Sequence, residues 1–263
     1  MPLDIDRHAG IESLIQRWDV RCKIAALLLL ILCIALIKTL PMALIALAIT
    51  IVLLWASQLP VHFVSHGLTS AGIFLLPFFL IMPFTYPGDA DHAHFWGVTF
   101  SFAGLRLATL IFVKAISMIM LSFVIFGTSR FDVSMIALQR LKCPKILTQM
   151  LLFTYRYIHT FMEELQRMHT SMSVRGFVPK TDWNTMTTYG NFVGTLLIRS
   201  FERTERVYKA MLSKGYEGEF YSLVEFKTNA ADWLKLIVIL VIAVALLIGD
   251  NVLGFPTAAV AWH

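Results

Sequence analysis

Charged residues and cysteines are both scarce in this 263-residue sequence. Charged residues account for 15% of the positions and hydrophobic residues for 57%, with a mean hydropathy of +0.71. Soluble domains have apolar usage near one half and lack long apolar runs, so the composition predicts an integral membrane protein. The three cysteines, Cys22, Cys33 and Cys143, have no metal-ligand spacing, and their odd number argues against a closed disulfide framework.

The motifs of nucleotide binding and catalysis are also missing. Because no Gly-x-x-x-x-Gly-Lys-[Ser/Thr] phosphate loop occurs, we expect that this chain does not bind ATP itself. His159 and Glu163 are four residues apart, but no His-Glu-x-x-His pair exists and His169 lies on another turn, which argues against a metalloprotease. No Ser-His-Asp or Cys-His set can be defended from spacing. We therefore predict a protein without catalytic residues or a bound cofactor of its own.

Five apolar segments are candidates for transmembrane helices. No Ala-x-Ala-type cleavage site follows the first, so we expect a retained anchor and not a removable signal peptide. The first two are short against the roughly 20 residues that cross a bilayer. The predicted spans cover about Cys22–Ile37, Met42–Trp55, Leu68–Thr85, Gly104–Gly127 and Trp233–Ile248.

The expected fold class is therefore an all-α integral membrane protein with about five transmembrane helices. Its predicted parts are residues 1–128, an N-terminal interfacial segment with four spans; residues 129–228, a polar region with two long helices; and residues 229–263, the last span and a tail. Lys114 lies well inside the fourth span and should face the bundle or a partner subunit, because a lysine in hydrocarbon is costly. Near the N-terminus, apolar residues up to Trp18 share one helical face with cations around them, which predicts a short interfacial helix. Those cations are Arg7, Arg17, Arg21 and Lys23.

The placement of the basic residues predicts the orientation. A net charge of +5 and a pI near 9.2 could suggest nucleic acid, but in a membrane protein a basic excess more often reflects the positive-inside rule. Lysine and arginine crowd the N-terminal segment and residues 130–227, whereas the loop at 86–102 and the tail from residue 249 have neither, and Lys38 is the only cation in an outer loop. We predict a cytoplasmic N-terminus, an outer C-terminus and no nucleic-acid partner.

The loop at 86–102 contains Asp89, Asp91, His92 and His94. Imidazole and carboxylate groups suit nickel, cobalt or zinc, so this loop is a candidate for metal capture. Alternate positions in a single loop do not fix a coordination geometry. We therefore predict no resident metal in this chain.

Two apolar stripes of helical period lie in the polar region. Each predicts an amphipathic, water-facing helix that buries one stripe, with charged residues opposite. Glu202 and Arg206, like Glu205 and Lys209, are four residues apart in the favourable order, acid first. The stripes are Ile158, Phe161, Leu165, Met168 and Met172 in the first helix and Leu197, Phe201, Val207, Tyr208 and Met211 in the second.

Both predicted helices end in the pattern Met-x-x-[Arg/Lys]-Gly-[Phe/Tyr]. A glycine just past a helix can take the left-handed conformation of a Schellman cap, while the next apolar residue folds back on the last turn. A cation there favours the negative end of the helix dipole. Each ending alone is an ordinary helix stop, but two matching endings favour a functional pair. Their residues are Ser173, Val174, Arg175, Gly176 and Phe177 in the first and Ser213, Lys214, Gly215 and Tyr216 in the second.

The runs Arg156 to Phe177 and Arg199 to Phe220 resemble the transmembrane T component of energy-coupling-factor (ECF) transporters, most of all the cobalt/nickel, CbiQ-like type. The resemblance implies that Ser173–Gly176 and Ser213–Gly215 are the two signatures that press into grooves on ATPase subunits. This sequence departs from the family pattern at Val174, where a small or polar residue is commoner, at Ser213 in place of alanine, and at Lys214 in place of arginine. Lysine keeps the charge but loses the bidentate fork.

The same resemblance implies a non-catalytic scaffold in the inner membrane of a prokaryote. Its partners would be two ATP-binding cassette ATPases, which hold ATP and magnesium, and a substrate-binding membrane subunit for cobalt or nickel. One alternative is a T component shared among vitamin transporters. Another is a membrane-anchored interaction protein with a helical cytoplasmic domain, which would need no ATPase. A self-sufficient secondary transporter lacks support because no inverted repeat is evident.

Overall fold

The computed structural model describes residues 15–16, 18–85, 92–95, 98–218 and 229–258, and helices dominate this part of the chain. A short antiparallel hairpin of β1 (His92–Phe95) and β2 (Val98–Ser101) pairs His92 with Ser101, and sequence reasoning did not predict it. The all-α membrane class is otherwise confirmed. The helices are α1 (Val20–Leu36), α2 (Leu40–Ser57), α3 (Val61–Thr85), α4 (Phe102–Gly127), α5 (Phe131–Arg140), α6 (Lys145–Val174), α7 (Trp183–Leu212) and α8 (Ala230–Ala258).

Four of the five predicted spans are helices long and apolar enough to cross a membrane. Within the described residues these are α2, α3, α4 and the Ala230–Val252 part of α8. The fifth, α1, has 17 residues, which at 1.5 Å per residue is about 26 Å and falls short of a hydrocarbon core of about 30 Å. Asp19 caps α1 at its start, where the carboxylate accepts a hydrogen bond from the Arg21 backbone N–H at 2.9 Å.

The chain separates into two compact units. One contains α6 and α7, and the other contains the remaining helices. The short helix α5 packs on α1 and belongs to the unit that holds the spans, although it lies within the polar region that the sequence suggested.

The core of the spanning unit forms around α1. This helix packs against α4, α5 and α8, and its Leu27, Leu30 and Ile34 side chains are buried together with Leu121 and Val124 of α4. A helix that is apolar on all sides is stable only when other helices or lipid surround it. α1 therefore occupies the centre of this unit, whereas α3 packs mainly on α4.

The cations of the spanning unit correct one expectation and confirm another. Lys114 faces the bundle as predicted, since its Nζ donates to the carbonyl oxygens of Ala35 at 2.6 Å and Ile37 at 2.8 Å. Lys23, expected at the membrane interface, is 0% exposed.

Trp18 is also buried, and its indole Nε1 donates to the Asp232 carbonyl oxygen at 3.2 Å. Residues 15, 16 and 18 form a turn and a bend, and the rest of the predicted interfacial helix lies outside the described residues.

Candidate functional site

The first of the two matching endings closes α6. Gly176 has φ of +81°, the left-handed conformation in which glycine carries no steric penalty. The Phe177 N–H donates to the Met172 carbonyl oxygen at 3.1 Å, and the Gly176 N–H donates to the Ser173 carbonyl oxygen at 3.0 Å. These two hydrogen bonds define a Schellman cap.

The second ending closes α7 with the same geometry. Gly215 has φ of +80°, the Tyr216 N–H donates to the Met211 carbonyl oxygen at 3.1 Å, and the Gly215 N–H donates to the Leu212 carbonyl oxygen at 3.0 Å. A Cβ atom at either glycine would meet nothing within 4 Å. Backbone conformation, and not crowding, therefore requires glycine, and the predicted caps are confirmed.

The side chains around both caps are open to solvent. In the first ending Ser173, Val174 and Arg175 are exposed, Val174 by 82%. In the second, Ser213 and Lys214 are exposed as well. Within the described part of the chain, neither the Arg175 guanidinium nor the Lys214 ammonium group has a hydrogen-bond or ion-pair partner. Each helix thus ends in a fixed backbone turn with an unpaired cation.

The aromatic residue that follows each glycine is half-buried. Phe177 packs edge-on against Tyr189 of α7, with ring centroids 5.6 Å apart and an interplanar angle of 85°. Tyr216 occupies the equivalent position in the second ending. In both endings the aromatic residue is half-buried while the cation is exposed.

Contacts between α6 and α7 show that the two helices run antiparallel. Near the middle of each helix, Glu164 forms an ion pair with Arg199. At the start of α6, the Gln149 side-chain amide donates to the Gly218 carbonyl oxygen at 3.1 Å, just beyond the end of α7. Since 26 residues separate Gln149 from Arg175, the two cationic endings lie about 40 Å apart along α6. Sequence reasoning missed the Glu164–Arg199 pair because its members are 35 positions apart.

One expectation about these helices is wrong. α6 and α7 each have 30 residues, and α7 has no buried residue among those described. Leu197 is 64% exposed and Phe201 73% exposed, although Val207 and Met211 of the same stripe are half-buried, so only part of the predicted stripe of α7 is covered within this chain. The half-buried face of α7 also includes Leu196 and Ser200, each one position away from Leu197 and Phe201. The sequence of one helix shows the period of its apolar face, but it does not show on which side the neighbouring helix packs.

The described residues contain no group of three or more His, Cys, Asp or Glu side chains that could hold a metal ion. His92 and His94 lie on β1. Asp89 and Asp91 lie outside the described residues, so the candidate metal loop is not tested.

Comparisons with known proteins agree with this architecture. The family model described as CbiQ, cobalt transport protein, matches residues 12–225. The uncharacterized protein MJ1571 of Methanocaldococcus jannaschii is 22% identical over 259 residues, which cover 94% of this chain and 86% of that protein. The putative fused cobalt transport protein CbiMQ of Methanocorpusculum labreanum is 29% identical over 155 residues, 57% of this chain and 23% of that protein. The uncharacterized protein MJ1089 of M. jannaschii is 26% identical over 137 residues, 52% of this chain and 50% of that protein.

The family match extends through the spans α2 to α4 and through both capped endings, which form the candidate site. It covers well over half of the sequence. A multi-pass helical membrane protein of this kind is a component of a transport system. This chain belongs to the CbiQ family of cobalt transport proteins.

Proposed function

We propose that this chain is the T component of an ECF-type importer and couples ATP hydrolysis on two partner ATPases to uptake of cobalt or nickel ion. The observation that carries the proposal is the pair of identical caps, each with an exposed cation, at opposite ends of two antiparallel helices. Two equivalent helix ends suit binding to two equivalent ATPase subunits. The chain itself is non-catalytic, and ATP and magnesium belong to the ATPases.

The arrangement of α6 and α7 supports mechanical coupling. Two antiparallel helices of equal length, here 30 residues each, can be related by an approximate two-fold axis. A dimer of ATPases also has two-fold symmetry, so each subunit can bind one ending in the same way. When ATP closes the dimer, the endings at Arg175 and Lys214 are drawn with it. The rigid Schellman turns transmit this displacement into the helices.

The exposed apolar stripe of α7 supports a further partner. Large apolar side chains that are exposed along one face of a helix favour contact with protein or membrane. Leu197, Phe201 and Tyr208 lie on this stripe and are exposed. We assign the stripe to the substrate-binding membrane subunit, whose movement would deliver the ion.

Charge supports a cytoplasmic position for the unit that carries the endings. Residues 142–218 contain eleven lysines and arginines and six aspartates and glutamates, a net charge of +5 that equals the net charge of the whole chain. Such an excess favours the cytoplasmic side of the inner membrane. The N-terminus would then also be cytoplasmic.

The substrate is assigned from family membership, and the name of the fused relative, a putative cobalt transport protein, supports it. Uptake of radioactive cobalt, with nickel and a cobalamin as competitors, would separate the metals from a vitamin. Uptake of the vitamin alone would contradict the metal assignment and leave the coupling role intact.

Co-purification tests the coupling role. The tagged chain is expressed with candidate ATPase subunits and purified in mild detergent, as wild type and as Arg175→Glu/Lys214→Glu. We expect two ATPase copies with the wild type and loss of both from the double variant, because each reversal places an acid where the groove receives a cation. A matched control is Lys180→Glu/Arg206→Glu, which makes the same change of charge at two exposed positions of the same unit outside the endings.

The control should retain the ATPases. Wild-type ATP-driven uptake by the Arg175→Glu/Lys214→Glu variant would contradict the proposal. If the wild type recovers no ATPase, the anchored interaction protein becomes the better description.

A further inference from the structure

A lysine of α1 binds the C-terminal end of α4. The Nζ atom of Lys23 donates to the Thr128 carbonyl oxygen at 3.3 Å, to the Thr128 hydroxyl at 2.9 Å and to the Ser129 hydroxyl. Thr128 is the residue that ends α4. Since the last carbonyl groups of a helix lack partners within the helix, the buried ammonium group satisfies one of them and lies at the negative end of the α4 dipole.

A lysine of α4 binds the C-terminal end of α1 in return. Lys114 is the thirteenth of the 26 residues of α4, far from either end of that helix. Its Nζ donates to the carbonyl oxygens of Ala35 and Ile37, on either side of Leu36, the last residue of α1. The cation therefore has the same role at the end of α1 that Lys23 has at the end of α4.

The two contacts are in register. Lys23 and Ile37 are 14 positions apart on one helix, and Lys114 and Thr128 are 14 positions apart on the other. Both helices rise by the same distance per residue, so an antiparallel pair can keep both contacts only if the helices stay side by side along these 14 positions. Each helix thus supplies a lysine to the C-terminal end of its neighbour.

A carboxylate from a third helix binds the turn that follows the Lys114 contact at the end of α1. Asp250 of α8 is buried and accepts hydrogen bonds from the backbone N–H groups of Lys38 at 3.0 Å and Thr39 at 2.8 Å, and from the Thr39 hydroxyl at 2.7 Å. These groups begin α2. The turn between α1 and α2 therefore has a cation at the end of one helix and an anion at the start of the next, and both charges match the helix dipoles.

We propose that Lys23 and Lys114 form a reciprocal clamp that holds α1 and α4 together as one rigid body, with each lysine securing its own end. Thr128 and Ser129 connect α4 to α5, so the Lys23 contact fixes the connection between these two helices. A loss of either contact opens only the nearer end of α1. This inference does not depend on the identity of the ATPases or of the transported ion.

Two native thiols report on the two ends. Cys22 is adjacent to Lys23, Cys33 lies two residues before Ala35, and both are buried. The full chain, with Cys143→Ser as background, is treated in detergent with N-ethylmaleimide, and the alkylation rate at each cysteine is measured by mass spectrometry. We expect Lys23→Met to raise the Cys22 rate about tenfold and Lys114→Met to raise the Cys33 rate about tenfold, each with the other rate unchanged, because a helix end that loses its partner opens locally.

Lys38→Met is the matched control. The Lys38 side chain is exposed, and its contact with Asp250 uses the backbone N–H, which the substitution keeps. Both thiols should react at the wild-type rate in this variant. If Lys23→Met fails to accumulate in the membrane, Ser129→Ala removes a single acceptor and should raise the Cys22 rate alone by a smaller factor.

Two results would overturn the clamp. Equal acceleration of both thiols in either lysine variant would mean that the whole unit loosens and that the ends are not held separately. Unchanged rates at both thiols in both lysine variants would mean that the lysines do not restrain α1.

Discussion

At the scale of single residues, the conformation of two glycines fixes the backbone turn beside two cations. Gly176 and Gly215 both have φ near +80°, a region that costs other residues about 1–2 kcal/mol. Arg175 and Lys214 directly precede these glycines, just beyond the last residues of α6 and α7, and both side chains are exposed. Each glycine therefore affects the site only through its backbone conformation.

Gly215→Ala should destabilise the end of α7 by about 1 kcal/mol, because alanine is strained at this φ. We expect faster amide hydrogen exchange at Gly215 and Tyr216, whose N–H groups close the cap. Gly190→Ala is the control, since Gly190 lies inside α7, also has open space around it and has no positive φ. That change should slow exchange in α7 slightly through its gain of about 0.5–1 kcal/mol in helix propensity. Equal exchange in the two variants would show that the cap does not hold the turn.

Lys214→Arg should strengthen the second contact with an ATPase. Arginine offers two parallel donors to a carboxylate, whereas lysine offers a single point charge. We expect more ATPase to be retained at high salt during co-purification, while Lys180→Arg, at an exposed position between the helices, should have no effect. Weaker retention would mean that the second groove is shaped for lysine.

At the scale of helices, the ion pair between Glu164 and Arg199 is the charged contact near the middle of α6 and α7. The Glu164 side chain is largely covered, with 21% exposed, whereas Arg199 is 55% exposed. Partly exposed pairs contribute little because water and salt screen them. The pair therefore orients the two helices more than it stabilises them.

A double-mutant cycle with Glu164→Gln and Arg199→Gln should give a coupling free energy below about 1 kcal/mol that falls as salt rises. Thermal unfolding in detergent at two salt concentrations would measure it. The control cycle uses Glu205 and Lys209, which form an exposed pair within α7 and should couple no more strongly. A coupling of several kcal/mol would mean that the α6–α7 contact is more enclosed than this geometry allows.

At the scale of the whole molecule, the two units differ in where their apolar side chains lie. Leu30 in α1 is 0% exposed, whereas Phe201 in α7 is 73% exposed although it is larger. Burial stabilises a chain only where the apolar group leaves water. The spanning unit is therefore stabilised by its own core, whereas Phe201 contributes little burial free energy within this chain.

Leu30→Ala should lower the stability of the isolated chain by about 2–5 kcal/mol, because it leaves a cavity in the core. Phe201→Ala should leave the unfolding temperature in detergent almost unchanged and reduce assembly with the substrate-binding membrane subunit. Thermal unfolding and co-purification of the two variants would separate these effects. A large loss of stability in Phe201→Ala would indicate that the stripe packs within this chain.

The sequence by itself determined the features that depend on neighbouring residues along the chain. The apolar runs predicted α1 and the four helices long enough to span a membrane, and the Met-x-x-[Arg/Lys]-Gly-[Phe/Tyr] pattern predicted both caps, because hydropathy and the left-handed preference of glycine act locally. The membership in a transport family could also be recognised from these endings. The lengths of the helices were less certain from the sequence, and α1 proved to be 17 residues long.

Only the tertiary structure decided which residues meet across long separations. Lys23 was expected at the membrane surface, but it is buried against Thr128 and Ser129, more than 100 positions away. The exposed side of α7 and the separation of the two cationic endings likewise depend on how α7 packs on α6. A local pattern gives the period of a helix face, but the partner of that face is chosen by packing and charge pairing in three dimensions.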